Sequence, residues 1–208
     1  MTKEVKVKEI IKRLSKVYPN PKTALGYKNP LELLVATMLS AQATDKLVNL
    51  VTPELFKKYK AAKDYADAPI EELDAMVKRV NFHFNKAKNI KAAAKIIAEK
   101  YKGKVPDTME ELDALPGVAR KTANVVLGNA FGKAEGIVVD THVMRLSQKL
   151  RLTNQKVPEK IEQDLMQIVP KDKWIDFSHL LINFGREYCP ARPHTCENCP
   201  LDDLCPDG

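Results

Sequence analysis

Four cysteine side chains with metal-binding chemistry are gathered at the C-terminal end of the 208-residue chain. Cys189, Cys196, Cys199 and Cys205 are its only cysteines, and their spacing is C-x6-C-x2-C-x5-C. Four thiolates so close in sequence can enclose one metal centre, and the uneven spacing favours a [4Fe-4S] cluster. Zinc is the main alternative, but structural zinc sites usually use two short Cys-x2-4-Cys pairs, and only Cys196 and Cys199 form one. Two disulfides are the third possibility, and the charged N-terminus, MTKEVKVKEI, lacks the secretory signal that would favour them.

The composition favours an anionic partner and excludes a membrane-spanning protein. The chain carries 34 Lys and Arg against 27 Asp and Glu, a formal charge of +7. This basic excess fits a nucleic-acid partner, although a lysine-rich solvated surface would give the same balance. No apolar run approaches the length that a bilayer requires. We therefore expect a cytoplasmic, nucleoid-associated protein in a prokaryote, or a nuclear or organellar one in a eukaryote.

Helical periodicity extends along almost the whole chain and predicts an all-α fold. Thr108 with Glu111 three residues later is the pattern of a helix N-cap, and Pro53 suits the first position of a helix. Ile137 to Val139 is the only strand-like run and is too short to found a sheet. The expected helices are 7–18, 31–41, 84–101, 108–114 and 122–131, with others from about Thr141 and Pro158 and one before Cys189.

The segment from Leu112 to Leu146, LDALPGVARKTANVVLGNAFGKAEGIVVDTHVMRL, combines a short helix, a Pro-Gly break and a buried helix. Such a hairpin leaves unpaired backbone N–H groups at the start of its second helix. Together with the positive end of the helix dipole, these groups form an anion site for which phosphate is a natural occupant.

Lys121 and Asp140 are the two residues of this segment with reactive side chains. Lys121 lies at the start of the apolar helix, where the helix dipole and partial desolvation both favour the neutral amine, which is a nucleophile. Asp140 opens the next helix, so its carboxylate can be held there as an acceptor. The two residues are 19 positions apart, so only the fold can bring them to one substrate.

Four motifs together resemble the endonuclease III family of the helix-hairpin-helix (HhH-GPD) DNA glycosylase superfamily. They are LSAQATD (39–45), LPGVARKTA (115–123), VDTHV (139–143) and the terminal four-cysteine loop. The resemblance implies an all-α fold of two helical domains with DNA in the cleft between them. Residues 22–133 would form a six-helix barrel carrying the hairpin, and residues 1–21 with 134–208 a discontinuous domain carrying the [4Fe-4S] cluster.

The family implies a bifunctional DNA glycosylase and abasic-site lyase, acting as a monomer on double-stranded DNA that contains damaged pyrimidines or abasic sites. Lys121 would attack C1′ of an oxidised pyrimidine nucleotide and form a Schiff base, and β-elimination would then nick the strand. Asp140 would stabilise positive charge on the sugar or take a proton. This chemistry needs an amine to make the imine and a carboxylate beside the developing oxocarbenium.

By the same resemblance, several residues would contact DNA. Gln42 would fill the space left by the extruded base and Phe82 would intercalate, because base extrusion is offset by side chains inserted into the gap. The other contacts implied are the amides of Gly117 and Ala119 on a phosphate, His142 and Arg145 in the cleft, and Arg192 and His194 from the cysteine loop.

Two places depart from the family pattern. Ala119 stands where the family hairpin usually has glycine, so a positive φ there would strain the hairpin and weaken phosphate binding. The loop Asn81-Phe82-His83, here called the wedge loop, replaces the usual Gly-Leu-Tyr. Asn81 tolerates the left-handed region better than most residues, which favours survival of the turn. His83 takes the place of an aromatic residue that normally supports the loop.

Three other functions stay open. An adenine-excising glycosylase of the same superfamily would lack the nucleophilic lysine, carry a glutamate in the helix that here reads LLVATMLS, and have an added C-terminal domain. A non-catalytic DNA-binding module would use the hairpin only to grip the backbone, and the presence of both Lys121 and Asp140 argues against it. An electron carrier built on the cluster would not need a basic helical scaffold of this size.

Overall fold

A computed structural model describes residues 1–206, and this part of the chain contains helices and turns but no β-strand, which confirms the all-α prediction. No helix among these residues combines the length and the apolar character needed to cross a bilayer. Thr108 caps its helix, as predicted. The α-helices are α1 (Lys3–Val17), α2 (Pro30–Ser40), α3 (Asp45–Lys58), α4 (Ala62–Asp67), α5 (Ile70–Val77), α6 (His83–Lys100), α7 (Met109–Asp113), α8 (Arg120–Phe131), α9 (Thr141–Lys149), α10 (Pro158–Ile168) and α11 (Trp174–Glu187).

The chain divides into two compact units. The first, here called the central unit, is Ala24–Lys133, and the second, the terminal unit, joins Met1–Thr23 to the chain from Ala134 onward. The family resemblance placed the two divisions after residues 21 and 133. The six-helix barrel and the cluster-bearing domain stay predictions.

Helix α2 lies in the core of the central unit because nearly all of its residues are apolar. Asn29 caps its start by accepting a hydrogen bond from the backbone N–H of Glu32 at 3.0 Å, and Pro30 occupies the first turn, where a missing N–H costs nothing. Helix α8 packs against α2, and α6 packs against α4. The buried residues of α2 are Leu31, Leu33, Leu34, Val35, Ala36, Thr37, Met38 and Leu39.

Pro53 does not start a helix, so that prediction was wrong. It lies inside α3, which runs from Asp45 to Lys58. A proline in a helix interior removes one backbone hydrogen bond. Helix α3 nevertheless continues because Val48, Val51 and Leu55 are buried on one face, and the burial of such a face offsets the lost bond.

Helices α1, α9, α10 and α11 form the terminal unit around apolar side chains of α11, including Phe177, Leu180 and Leu181. Arg13 of α1 pairs with the carboxylate of Asp203 and donates to the carbonyl of Pro200 at 3.2 Å. Helix α1 therefore holds the chain that carries the last cysteines.

Candidate active site

The Pro-Gly hairpin joins α7 to α8 in the central unit. The backbone N–H of Val118 donates to the carbonyl of Leu115 at 3.1 Å and closes the turn. Gly117 has φ +75°, and a β carbon built on it would lie 2.7 Å from Cβ of Asn89 on α6. Glycine is required here for two reasons, since a side chain would meet both the left-handed backbone and a neighbouring helix.

Ala119, the N-cap residue of α8, fits the hairpin without strain. Its φ of −103° and ψ of 167° describe extended backbone, which any residue adopts. The condition under which alanine would strain the hairpin, a positive φ at this position, is therefore not met. Alanine has no polar side-chain atom to cap the helix. A phosphate oxygen bound at this helix start would take the place of the missing cap.

Lys121 is the second residue of α8, and its side chain is exposed. The buried residues of the helix are Ala123, Asn124, Val126 and Leu127. The partial desolvation expected at Lys121 is not supplied by the protein, so a bound substrate would have to supply it. Helix α8 has no acidic residue in its first turn, so nothing there offsets the positive end of its helix dipole.

Asp140 opens α9 in the terminal unit, as its position in the sequence predicts. It is the N-cap of the helix, and its Oδ1 accepts a hydrogen bond from the backbone N–H of Val143 at 2.8 Å. The residue is half-buried. This bond fixes the direction of the carboxylate at the start of the helix.

Gln42 lies in the turn between α2 and α3, with an exposed side chain and φ of +54°. Its carbonyl oxygen accepts a hydrogen bond from Nδ2 of Asn81 at 3.0 Å. The wedge loop thus contacts the Gln42 turn directly through a side chain that the sequence did not single out for this purpose.

Phe82 occupies the tip of the wedge loop with 61% of its surface exposed. The left-handed residue of the loop is Phe82, at φ +57° and ψ +30°, and not Asn81, whose tolerance of this region favoured survival of the turn. His83 supports the loop from its other side, because its Nδ1 lies 2.5 Å from Oδ1 of Asp74 on α5. An exposed aromatic ring held on a left-handed backbone is suited to contact with a partner rather than to packing within the chain.

Lys86 is a residue that sequence reasoning missed. It is only 8% exposed, and its ammonium donates to the carbonyl of Leu39 at 2.8 Å and to that of Ala41. Burial lowers the pKa of this ammonium, and the carbonyl oxygens supply the partners that a buried charge requires. A signal was present in the sequence, since Lys86 lies four residues before Ile90 and so continues the buried face of α6.

The four cysteines lie in the terminal unit as free thiols and line one pocket together. Cys189 is buried, Cys199 and Cys205 are half-buried and Cys196 is exposed. Burial raises the pKa of the Cys199 thiol, and the neighbouring Cys196 and Cys189 raise it further. Residues 1–206 contain no group of three or more His, Cys, Asp or Glu side chains already arranged around a single ion. Four sulfur donors facing one pocket match the donor set of an iron-sulfur cluster.

Arg145 is held at the cysteine loop. Its guanidinium donates to the carbonyl oxygen of Cys189 at 2.5 Å and lies 3.6 Å from the Cys189 Sγ. His142 is half-buried one turn earlier on α9, with Nδ1 2.8 Å from the point where a β carbon on Gly185 would lie. The close approach of α9 to α11 therefore depends on glycine at position 185.

Arg192 and His194 lie between the first two cysteines. Arg192 is exposed, whereas His194 is half-buried and lines the cysteine pocket. The carbonyl oxygen of Arg192 lies 2.9 Å from Nδ1 of His194. Arg192 is thus accessible to solvent, and His194 lines the same pocket as the four cysteines.

Comparisons with known proteins agree with the motifs. A model of the HhH-GPD superfamily of base excision DNA repair proteins matches residues 35–171. Endonuclease III of Synechocystis sp. is 49% identical over 100% of this chain and 94% of its own length. Endonuclease III of Bacillus subtilis is 47% identical over 94% of this chain and 90% of its own length. A solved structure of a trapped covalent intermediate of endonuclease III with DNA matches with a TM-score of 0.92 and 41% identity, covering 100% of this chain and 97% of that one. A thermostable thymine-DNA glycosylase, with 24% identity and a TM-score of 0.84, shares the fold.

A helical fold with a glycine hairpin ahead of a lysine-bearing helix, joined to these matches, defines a DNA glycosylase of base excision repair. Within the HhH-GPD superfamily, the chain belongs to the endonuclease III family. It is an enzyme with DNA glycosylase and abasic-site lyase activity.

Proposed function

We propose that the protein removes oxidised pyrimidines from double-stranded DNA and then nicks the strand through a Schiff base on Lys121. The observation that carries the proposal is the exposed amine of Lys121 at the start of α8, directly after a hairpin that needs glycine at position 117. Support comes from the 41% identical endonuclease III, which was trapped as a covalent intermediate with DNA. The adenine-excising alternative would lack this lysine.

The reaction would proceed in two stages. The neutral amine of Lys121 attacks C1′ of the damaged nucleotide, and the bond from C1′ to the base breaks with its electron pair leaving on the base. The sugar ring opens as the C1′=N imine forms. Loss of a proton from C2′ then expels the 3′ phosphate, and water hydrolyses the imine to release Lys121.

Asp140 would act on charge during these steps. Its carboxylate is held by the N–H of Val143 at 2.8 Å, so it need not reorganise when positive charge develops on the sugar. It would also accept the proton that the lysine ammonium loses before the attack. Replacing Asp140 with Asn should therefore slow the reaction while leaving the helix cap in place, because asparagine also caps helices.

Access to C1′ requires the damaged nucleotide to leave the base stack, which costs a few kcal/mol. Gln42 and Phe82 are both exposed on left-handed backbone in the central unit. We assign Gln42 to the space left by the extruded base and Phe82 to intercalation beside it. The amides of Gly117 and Ala119 would hold a backbone phosphate, and His142, Arg145 and Arg192 would add contacts from the terminal unit.

We further propose that Cys189, Cys196, Cys199 and Cys205 hold a [4Fe-4S] cluster. Bound there, the cluster would link the four thiolates and order the loop that carries Arg192. Replacing Cys199 with Ser should reduce solubility and iron content before it changes the chemistry at Lys121. Iron analysis and visible absorption spectra would test this, and normal iron content with unchanged folding in the variant would contradict it.

The protein would act as a monomer on duplex DNA, in the nucleoid of a prokaryote or in the nucleus or an organelle of a eukaryote. Binding should weaken as salt rises, because basic side chains release counterions from the phosphates they neutralise.

Borohydride trapping on duplex DNA with one oxidised thymine tests the central proposal. Wild-type protein should give a covalent adduct that Lys121→Ala loses. Lys46→Ala is a matched control, because Lys46 is also an exposed second residue of a helix, α3, in the same unit. An adduct that survives in Lys121→Ala would overturn the assignment of the nucleophile. Cleavage of a pre-formed abasic site without activity on the oxidised base would overturn only the lesion class, and no adduct on either substrate would point to a binding module.

A further inference from the structure

We propose that Asn81 is a positioning residue that joins the wedge loop to the Gln42 turn, so that Gln42 and Phe82 enter DNA as one preassembled element. The inference rests on the roles proposed above for Gln42 and Phe82 and adds a residue to which no role in DNA binding was assigned. The structural basis is one hydrogen bond, from Nδ2 of Asn81 to the carbonyl oxygen of Gln42 at 3.0 Å.

The bond from Asn81 lies next to two residues whose backbone conformations are energetically unfavourable. Gln42 has φ +54° and Phe82 has φ +57°, and residues other than glycine adopt this region only when their surroundings impose it. Asn81 immediately precedes one left-handed residue and bonds to the carbonyl of the other. A single side chain therefore restrains both strained positions.

Lys86 strengthens the same connection. Its ammonium donates to the carbonyls of Leu39 and Ala41, which lie at the C-terminal end of α2, where helix carbonyls lack intrahelical donors. Together, Asn81 and Lys86 supply hydrogen bonds to three carbonyls between residues 39 and 42 from a segment of six residues. The Gln42 turn is thus held largely by the segment that presents Phe82.

The connection has a consequence for binding. Two loops that moved independently would each lose conformational freedom when they entered the gap in the DNA. Loops already joined have lost that freedom in the free protein, so more of the contact energy contributes to affinity.

A double-mutant cycle between Asn81→Ala and Gln42→Ala tests the proposal. Gln42→Ala removes the inserted side chain but keeps the carbonyl that Asn81 contacts. On duplex DNA with a stable abasic-site analogue, we expect each single variant to weaken binding, by about fivefold for Asn81→Ala and about tenfold for Gln42→Ala. In the Gln42→Ala background, Asn81→Ala should weaken binding further by less than about twofold, because its effect depends on orienting the Gln42 side chain, which is absent there.

A second measurement reports orientation directly. 2-Aminopurine placed opposite the abasic-site analogue should change its fluorescence when Gln42 enters the gap. We expect Asn81→Ala to reduce this change at saturating protein, where weaker affinity no longer matters. Asn81→Gly, which also lacks the donor, should behave in the same way.

Asn49→Ala is the matched control. Asn49 also connects two segments of the central unit through its side-chain amide, since it donates to the carbonyl of Ala24 at 2.8 Å and accepts from Gly26 N at 2.9 Å. This variant should change stability without changing the fluorescence signal. An equal loss of signal in Asn49→Ala would show a general effect of stability and overturn the proposal.

The connection through Asn81 and the gap-filling role of Gln42 are contradicted by different results. Full affinity in Asn81→Ala, or additive losses in the double variant, would overturn the connection and leave the role of Gln42 intact. Full affinity in Gln42→Ala would overturn the proposed gap-filling role and the connection with it. Neither result would bear on the trapping of Lys121, which tests the chemistry separately.

Discussion

The hairpin around Gly117 and the wedge loop around Phe82 are two turns of the same unit that place a residue in the left-handed region. In the hairpin that residue is glycine, at φ +75°, and the backbone is unstrained. In the wedge loop it is phenylalanine, at φ +57°, where an L-residue costs about 1 kcal/mol. Gln42, in the neighbouring turn, has the same kind of backbone.

The proposed function explains the difference by what each turn would offer to DNA. The hairpin is proposed to offer backbone N–H groups to a phosphate, for which a side chain at position 117 would contribute nothing, and such a side chain would collide with Asn89. The wedge loop is proposed to insert the ring of Phe82 between bases, and glycine has no ring to insert. Its strain is sustained by neighbouring contacts, His83 with Asp74 and Asn81 with the Gln42 carbonyl. A recognition turn that uses backbone can be free of strain, whereas one that uses a side chain in this conformation cannot.

The largest expected effect is from Gly117→Ala. Alanine would be strained in the left-handed region, and its β carbon would also lie 2.7 Å from Cβ of Asn89. The two costs together should lower the free energy of unfolding by about 3 kcal/mol. Gly103→Ala is the control, because Gly103 has φ +81° but no described atom within 4 Å of the added carbon. It should cost about 1 kcal/mol. Urea denaturation of both variants measures the difference, and equal losses would show that the contact with Asn89 is unimportant.

The collision in Gly117→Ala can be relieved only by a particular second change. Asn89→Ala keeps the β carbon that lies closest to the new methyl group, so it should not restore stability. Asn89→Gly removes that carbon at the ordinary cost of glycine in a helix, about 1 kcal/mol. If Asn89→Gly partly restores the stability of the Gly117→Ala variant and Asn89→Ala does not, the close approach of the hairpin to α6 is confirmed as the cause of the loss.

Lys86→Met should have the next largest effect. It removes the donors to the carbonyls of Leu39 and Ala41 and should lower the free energy of unfolding by about 2 kcal/mol, since hydrogen bonds from charged groups are the stronger kind. Lys91→Met is its control, because Lys91 donates in the same way to the carbonyls of Ala66 and Ala68, at 2.6 and 2.5 Å. Both variants should be destabilised, but only Lys86→Met should weaken DNA binding. Equal DNA binding in the two variants would contradict a role for Lys86 at the wedge loop.

The sequence predicted the helices and the N-caps well because both depend on local pattern. Asp140 caps α9 as its place before a helical segment indicated, and α2 is buried as its nearly all-apolar run indicated. Pro53 was placed wrongly because its local preference was outweighed by the buried face of α3. Burial of this kind depends on the other helices of the unit, so it cannot be inferred from the preference of one residue.

The features of the candidate site that the sequence did not predict share a different cause. The intrinsic preference of asparagine drew attention to Asn81, but the left-handed residue of the loop is Phe82, and Asn81 instead donates to the Gln42 carbonyl. The sequence left open whether position 119 needs a positive φ, and the structure shows extended backbone there. Lys86 was overlooked because a lysine in a helix is usually solvated. Backbone angles and long-range partners decide all three, and a sequence does not contain them explicitly.

Substitution of Phe82 separates stability from function. Phe82→Gly should raise the free energy of unfolding by about 1 kcal/mol relative to Phe82→Ala, because glycine accepts the left-handed backbone and alanine does not. Both variants should bind damaged duplex more weakly, since both lack the ring. Cleavage of a pre-formed abasic site in single-stranded DNA should be nearly unchanged. Equal losses on duplex and single strands would argue against intercalation, and equal stability of the two variants would show that the backbone is not strained.

The smallest expected effect is from Ala119→Gly, although this change restores the residue usual in the family. The φ of −103° at Ala119 gives glycine no conformational advantage. Glycine loses more entropy on folding than alanine but is better at the N-cap position, and these effects oppose each other. The free energy of unfolding should therefore change by less than about 0.5 kcal/mol, and the affinity for undamaged duplex by less than about twofold. Urea denaturation and a salt-dependent binding titration would check this. A marked gain in affinity would mean that the hairpin adopts a positive φ at this position when a phosphate binds, and that the contrast between the two turns disappears in the complex.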